Sequence, residues 1–161
     1  MATSEPIELV VLGGGPGGYA AAFRAADLGL KVALVEQDSR LGGVCLLRGC
    51  IPSKAMITAA EFLDRIRHAD TMGITVQNVA LDMKKLAAWR DGVVNELAGG
   101  IESLCKQRGI QRIVGRGTLT SPRELKVEGA GAPSSLTFKH LIVATGSSPF
   151  LPPPFKKQPG I

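Results

Sequence analysis

The chain is poor in what a membrane, a nucleic acid or a structural metal would require. No apolar run approaches the roughly 18 residues of a membrane-spanning helix. The opening Met-Ala-Thr-Ser-Glu-Pro lacks the basic flank and apolar core of a signal peptide. A soluble, cytoplasmic protein with no membrane attachment is therefore expected. Aromatic residues are only 4% of the chain, and none interleave a basic run, so the net charge of +5 reads as solvated surface and no nucleic-acid partner is expected. The two histidines, His68 and His140, and the three cysteines, Cys45, Cys50 and Cys105, show no paired C-x-x-C or H-x-x-x-H spacing. No metal site is expected from them. Three cysteines in a cytoplasmic chain also argue against a structural disulfide framework, leaving redox chemistry or core packing. There is no internal repeat and no second G-x-G-x-x-G unit.

The 161 residues suffice for one domain with a real core, and twenty of them are glycine. The apolar run Ile7 to Leu12 predicts a buried strand. Gly13, Gly15 and Gly18 follow at once as G-x-G-x-x-G, and an alanine-rich helix is predicted over residues 17–28, with Gly29 as its C-cap. Residues 31–35 predict a second strand, ending at Glu36. Each part of this unit has a mechanical reason. Gly13 permits the tight turn, Gly15 lets a pyrophosphate touch backbone, and Gly18 lets the helix lie near the strand. The helix N-terminus offers free N–H groups and a positive dipole. Glu36 lies 18 residues past Gly18, placed to accept hydrogen bonds from an adenosine ribose. A dinucleotide-binding, Rossmann-like α/β domain is expected.

Downstream, residues 52–69 predict a helix with Ala55, Met56, Ala59, Phe62, Leu63 and Ile66 on its core face. Residues 72–80 read as a loop with one short extended piece. A long helix is predicted over residues 82–107, capped by Asp82, with Met83, Leu86, Val93, Val94, Leu97, Ile101 and Leu104 as its apolar stripe, Cys105 in the core and a bend at Gly99-Gly100. The alternating runs 111–114, 124–127 and 135–138 predict a small antiparallel meander, with 129–133 as a hairpin turn. Residues 140–144 predict another buried strand, closed by Thr145-Gly146-Ser147. Residues 152–161 form a proline-rich tail.

The chemistry concentrates in Gly42-Gly43-Val44-Cys45-Leu46-Leu47-Arg48-Gly49-Cys50-Ile51-Pro52-Ser53-Lys54, read as a glycine-framed loop. Two cysteines with four residues between them can close a disulfide where the loop brings their Cα atoms within about 7 Å. Pro52 suits a first helical turn, which puts Cys50 near a helix N-terminus, where thiolate is favoured. Arg48 and Lys54 add positive charge nearby. Such a thiolate suits donation to an electron-poor ring, with Cys45 as the thiol that exchanges with a partner. Two inert core cysteines are the alternative.

These residues resemble the N-terminal part of the dihydrolipoamide dehydrogenases, within the flavin-dependent pyridine nucleotide–disulfide oxidoreductases. The glycine turn is similar to the family's FAD fingerprint, and the Cys45–Cys50 stretch to its redox disulfide motif. Gly115-Arg116-Gly117 and Ala144-Thr145-Gly146-Ser147-Ser148-Pro149 resemble two later FAD-contacting segments. The resemblance runs over residues 7–151. It implies that Gly13, Gly15 and Gly18 hold the FAD pyrophosphate and Glu36 the ribose. It implies that Gly43 and Val44 line the flavin side, that Lys54 lies near flavin N5, and that Gly117, Thr145 and Gly146 approach FAD through backbone. Cys50 would make the charge-transfer contact with the flavin, and Cys45 would be the interchange thiol. The reaction implied passes two electrons from dihydrolipoyl groups of 2-oxo acid dehydrogenase complexes to the cysteine disulfide, then through FAD to NAD, in a homodimer.

Two departures stand out. Leu47 and Arg48 occupy positions where the family has Asn and a small or apolar residue. The family enzyme is also several times longer, so the nicotinamide and interface domains, with the catalytic His–Glu pair, are expected to be absent from residues 1–161, and the chain alone to lack complete turnover. A non-catalytic FAD-binding fragment, or a glutathione- or mercuric-reductase type of enzyme, is the alternative.

Overall fold

The computed structural model describes residues 7–148, Phe150 and Pro152. Of the proline-rich tail, Pro153, Pro154 and Pro159 lie outside the described residues, as does Pro149 just before it. The elements are β1 (Ile7–Leu12), α1 (Pro16–Asp27), β2 (Val32–Glu36), α2 (Gly43–Arg48), α3 (Cys50–Arg67), a 3-10 turn (Ala69–Met72), α4 (Met83–Gln107), β3 (Gln111–Val114), β4 (Arg116–Ser121), β5 (Glu124–Glu128) and β6 (Ser135–Val143). The expected α/β architecture is present. One six-stranded sheet runs in the order β3-β2-β1-β6-β5-β4. Its β3-β2-β1-β6 part is parallel, and β5 runs antiparallel to both β4 and β6.

Both faces of the parallel strands are covered, which is why β1 and β2 read as nearly unbroken apolar runs. Side chains alternate along a strand. Leu9 and Val11 of β1 and Val32 and Leu34 of β2 face the helices, against Ala22 and Ala25 of α1, Leu46 of α2, and Val94, Ala98, Ile101 and Cys105 of α4. Val10, Ala33, Val35 and Ile113 face the other way, onto Leu125, Val127, Leu136 and Phe138. The alanines of α1 matter because a small side chain lets the helix axis approach the sheet. Asp82 caps α4 as expected, its Oδ1 accepting the N–H groups of Lys84 and Lys85 at 2.9 and 3.1 Å.

Several expectations need correction. The cysteine stretch is not a loop: residues 43–48 form α2, and Cys50 opens α3. The run 111–114 is not part of the meander but a parallel partner of β2, and the meander's first strand is β4, which carries no buried side chain and so left no alternation to read. Runs 135–138 and 140–144 are one strand, β6, pairing first with β5 and then with β1. Its second half is not buried. Ile142 and Val143, on opposite faces, are 39% and 65% exposed: past its first half β6 pairs with β1 alone, leaving its other edge open. On α4 the buried face is Val94, Ala98, Ile101 and Cys105, whereas Met83, Leu97 and Leu104 are exposed. Phe62 on α3 is exposed too, and α4 passes through Gly99-Gly100 as one helix.

Candidate functional site

β1 and β2 end side by side, and the turn after β1 passes over the end of β2. There the Gly13 N–H donates to the Val35 carbonyl at 2.8 Å. The next N–H, of Gly14, donates to Glu36 Oε2 at 2.6 Å, and Asp38 N–H donates to Glu36 Oε1 at 2.9 Å. Glu36 therefore organises the turn with one lone pair on each oxygen and keeps acceptor capacity for a ligand. The turn needs its glycines. A Cβ on Gly18 would sit 1.7 Å from the Gly13 carbonyl oxygen, and one on Gly13, at φ +109°, would sit 2.2 Å from the Ala144 carbonyl oxygen. Gly15 differs, since a Cβ there would meet no protein atom closer than 3.8 Å. The space beside Gly15 is open, as close approach of a phosphate requires.

α1 starts directly from this turn, with Gly15 as a cap that has no side chain, Pro16 at the first position, and no acidic residue in the first turn. Its free N–H groups and dipole suit an anion. α2 is brought against the same turn. The Gly42 N–H donates to the Gly14 carbonyl at 2.9 Å, and Gly43, at φ +60°, lies so close that a Cβ would be 2.7 Å from the Gly15 Cα.

The result is a cleft of about 930 Å³ lined by Gly15, Glu36, Asp38, Gly43, Val44, Cys45, Arg48, Thr145 and Gly146, among others. An adjoining cavity of about 410 Å³ shares Glu36 and Thr145 and adds Gly13 and Gly117. Gly18 lies buried beneath the turn, and Cys50 and Lys54 lie outside the lining of both. His68 pairs with Asp64 on α3, and His140 lines a separate surface depression.

Cys45 and Cys50 are not joined by a disulfide in the structure. They are in contact: a side-chain hydrogen bond with Cys50 holds the Cys45 thiol above the ordinary thiol range, helped by desolvation and by the Cys50 charge. The Cys50 backbone N–H, at the start of α3, and the Lys54 cation pull in the opposite direction. Arg48 is turned away from the thiols, its Nη2 donating to Asp38 Oδ2 at 2.6 Å. Leu47 packs on the helical core. Cys105 is buried, and burial pushes its thiol up. Asp38 is the site residue that the sequence reading missed. The available signal was a carboxylate just past the β2 acid, opposite in sign to Arg48. Among the described residues no group of side chains is arranged to hold a metal ion, and no helix is long and apolar enough to cross a membrane.

A glycine turn, a strand-end acid and one cysteine of a contacting pair on one cleft agree with what comparison with known proteins finds. The pyridine nucleotide-disulphide oxidoreductase family matches residues 7–160. The chain belongs to that family. Relatives within this oxidoreductase family include a dihydrolipoyl dehydrogenase 2 of Haloarcula marismortui, 47% identical over 153 residues, which are 92% of this chain and 32% of that protein. The dihydrolipoyl dehydrogenase of Bacillus subtilis is 45% identical over 94% of this chain and 32% of its own length. That of Geobacillus stearothermophilus is 44% identical over 92% of this chain and 32% of its own. The chain thus spans about a third of the length of the curated relatives it matches.

Proposed function

We propose that this chain is the FAD- and dithiol-bearing part of a dihydrolipoyl dehydrogenase. The observation that carries the reading is the cleft itself, which joins the open face of Gly15, the Glu36 carboxylate and Cys45 on one surface. In this reading the Gly13–Gly18 turn and the α1 N-terminus hold the diphosphate of FAD, and Glu36 holds the adenosine ribose. Gly43, Val44, Gly117, Thr145 and Gly146 line the rest through backbone, and Lys54 lies beside the reacting ring. Bound FAD supplies a two-electron acceptor for the reduced cysteine pair.

The chain's own residues do thiol–disulfide exchange. With the pair oxidised, a dihydrolipoyl thiolate attacks the Cys45 sulfur. A mixed disulfide forms, the Cys45–Cys50 bond breaks, and Cys50 leaves as thiolate. The second dihydrolipoyl thiol attacks the substrate sulfur bound to Cys45, the Cys45–substrate bond breaks, and the departing Cys45 sulfur takes the proton. The substrate dithiol becomes a disulfide, and the cysteine pair gains two electrons. Cys50 is suited to leave because it opens α3, where N–H groups stabilise a thiolate. NAD as final acceptor, a homodimer, and the lipoyl-bearing 2-oxo acid dehydrogenase complexes as partners belong to the same proposal. The lipoyl substrate is supported by the dihydrolipoyl dehydrogenase relatives.

The test is a visible spectrum of the purified chain. A yellow protein that gains a long-wavelength band on two-electron reduction supports the reading. Cys50→Ser should abolish the band, and Cys45→Ser should show it without reduction. A chain that stays colourless after incubation with FAD would overturn it.

A further inference from the structure

We propose that Arg48 is a cofactor-binding residue, its guanidinium, held by Asp38, donating to the diphosphate of the bound dinucleotide. The proposal rests on the FAD reading above and adds to it a residue at a position where the family motif has an apolar side chain. Arg48 is the last residue of α2, set between the two cysteines of the pair. Its guanidinium reaches not to the thiols but along the cleft, to Asp38 at 2.6 Å. Asp38 is tied in turn to Glu36 through its N–H. Glu36, Asp38 and Arg48 so form one polar row, and all three line the cleft that also contains Gly15 and Gly17.

The charges along this row decide what Arg48 is for. The α1 side of the cleft offers partial positive charge and no acidic residue in its first turn. The β2 side offers two carboxylates, which repel a diphosphate. Arg48 is the one full cation in the lining of this cleft among the described residues. Asp38 occupies one of its five N–H donors, and no other protein partner engages the guanidinium among the described residues. What remains is a fork that matches phosphate oxygens in a bidentate fashion, held in place by the Asp38 pair. The cation that acts on the Cys45 thiol is Lys54, so the two positive side chains of the motif divide the work: Lys54 to sulfur, Arg48 to phosphate.

The experiment titrates the flavin-free full chain with FAD, ADP and adenosine, for the unaltered protein, Arg48→Val and Arg48→Lys. Arg48→Val is expected to weaken FAD and ADP by about two- to fivefold, the range of a partly exposed charge contact. Adenosine, which has no phosphate, should bind unchanged. Arg48→Lys should recover part of the loss, and the gap should narrow as salt is raised. Equal FAD and ADP affinities for the unaltered chain and Arg48→Val would sink the assignment, as would an equal loss for adenosine. The FAD reading is judged separately, on the unaltered chain. If that chain binds neither FAD nor ADP, the cofactor reading fails and takes the Arg48 assignment with it.

Discussion

The Glu36 carboxylate accepts the Gly14 N–H at 2.6 Å, so the acid at the end of β2 fastens the turn that leaves β1. This acid is structural before any ligand arrives. Glu36→Ala leaves the buried Gly14 N–H without an acceptor, and the expected cost is about 1–3 kcal/mol in urea unfolding. Glu36→Gln keeps an acceptor oxygen and should lose less stability, while weakening FAD. Unfolding midpoints for Glu36→Ala equal to that of the unaltered chain would show that the turn holds without it.

Gly15 and Gly18 differ in what they make room for. Gly18→Ala drives a methyl group into the Gly13 carbonyl at 1.7 Å, and should destabilise the chain by about 3 kcal/mol or more. Gly15→Ala, with φ −75° and 3.8 Å of clearance, should stay folded within about 1 kcal/mol and lose FAD. Thermal unfolding and flavin titration, run side by side, separate the two. A folded Gly18→Ala chain that binds flavin normally would contradict the close helix–strand approach.

A hydrogen bond with Cys50 raises the Cys45 thiol above the ordinary thiol range. Removing Cys50 takes away the largest cause of a raised value, so Cys50→Ala should move the pH midpoint of Cys45 alkylation downward. Lys54→Gln removes a charge that favours the thiolate, and should move it upward. The sign follows from the protonation state: whatever stabilises the thiol keeps it unreactive to higher pH. The check is the alkylation rate against pH, with Cys105, buried in the core, as the slow internal reference. Shifts in the reverse directions would rule out this account of the pair.

Asp82→Ala removes the acceptor for two N–H groups at the start of α4, with an expected loss of about 1 kcal/mol. Asp82→Asn, which can still cap, should retain most of it. Chemical denaturation decides between them.

Ile142 and Val143 lie exposed on β6, where the strand pairs with β1 on one side only. An open apolar strand edge favours association. Sedimentation should show the chain self-associating as concentration rises, and Ile142→Thr with Val143→Thr should reduce it. A monomer at every concentration tested would remove this expectation.

Much of the fold was legible because it is written in short-range pattern. The β1-turn-α1-β2 unit follows from two apolar runs, glycine spacing and a closing acid. Asp82 marks the start of α4 by its capping chemistry. Pro52 marks the first turn of α3, which places Cys50 at its N-terminus. What stayed hidden depends on neighbours distant in sequence. Residues 43–48 are too few to show helical periodicity, and α2 exists because Gly43 fits against Gly15 and Leu46 enters the core. The choice of Ala98 rather than Leu97 and Leu104 on the inner face of α4 depends on where the sheet lies, not on hydrophobicity. Strand β3 looks the same in sequence whether its partner is parallel or antiparallel.

The site divides in the same way. The sequence alone determined which groups are present: a glycine turn, an acid closing β2, and two cysteines with four residues between them. Tertiary structure decided that they face one another. Parallel pairing of β6 with β1 carries Thr145 and Gly146 to the Gly13 turn from more than a hundred residues away, and the seating of α2 sets Cys45 and Arg48 on the cleft. It also turned Arg48 from the thiols to Asp38, because a guanidinium goes to the nearest carboxylate in space, and spacing along the chain does not say which carboxylate that is.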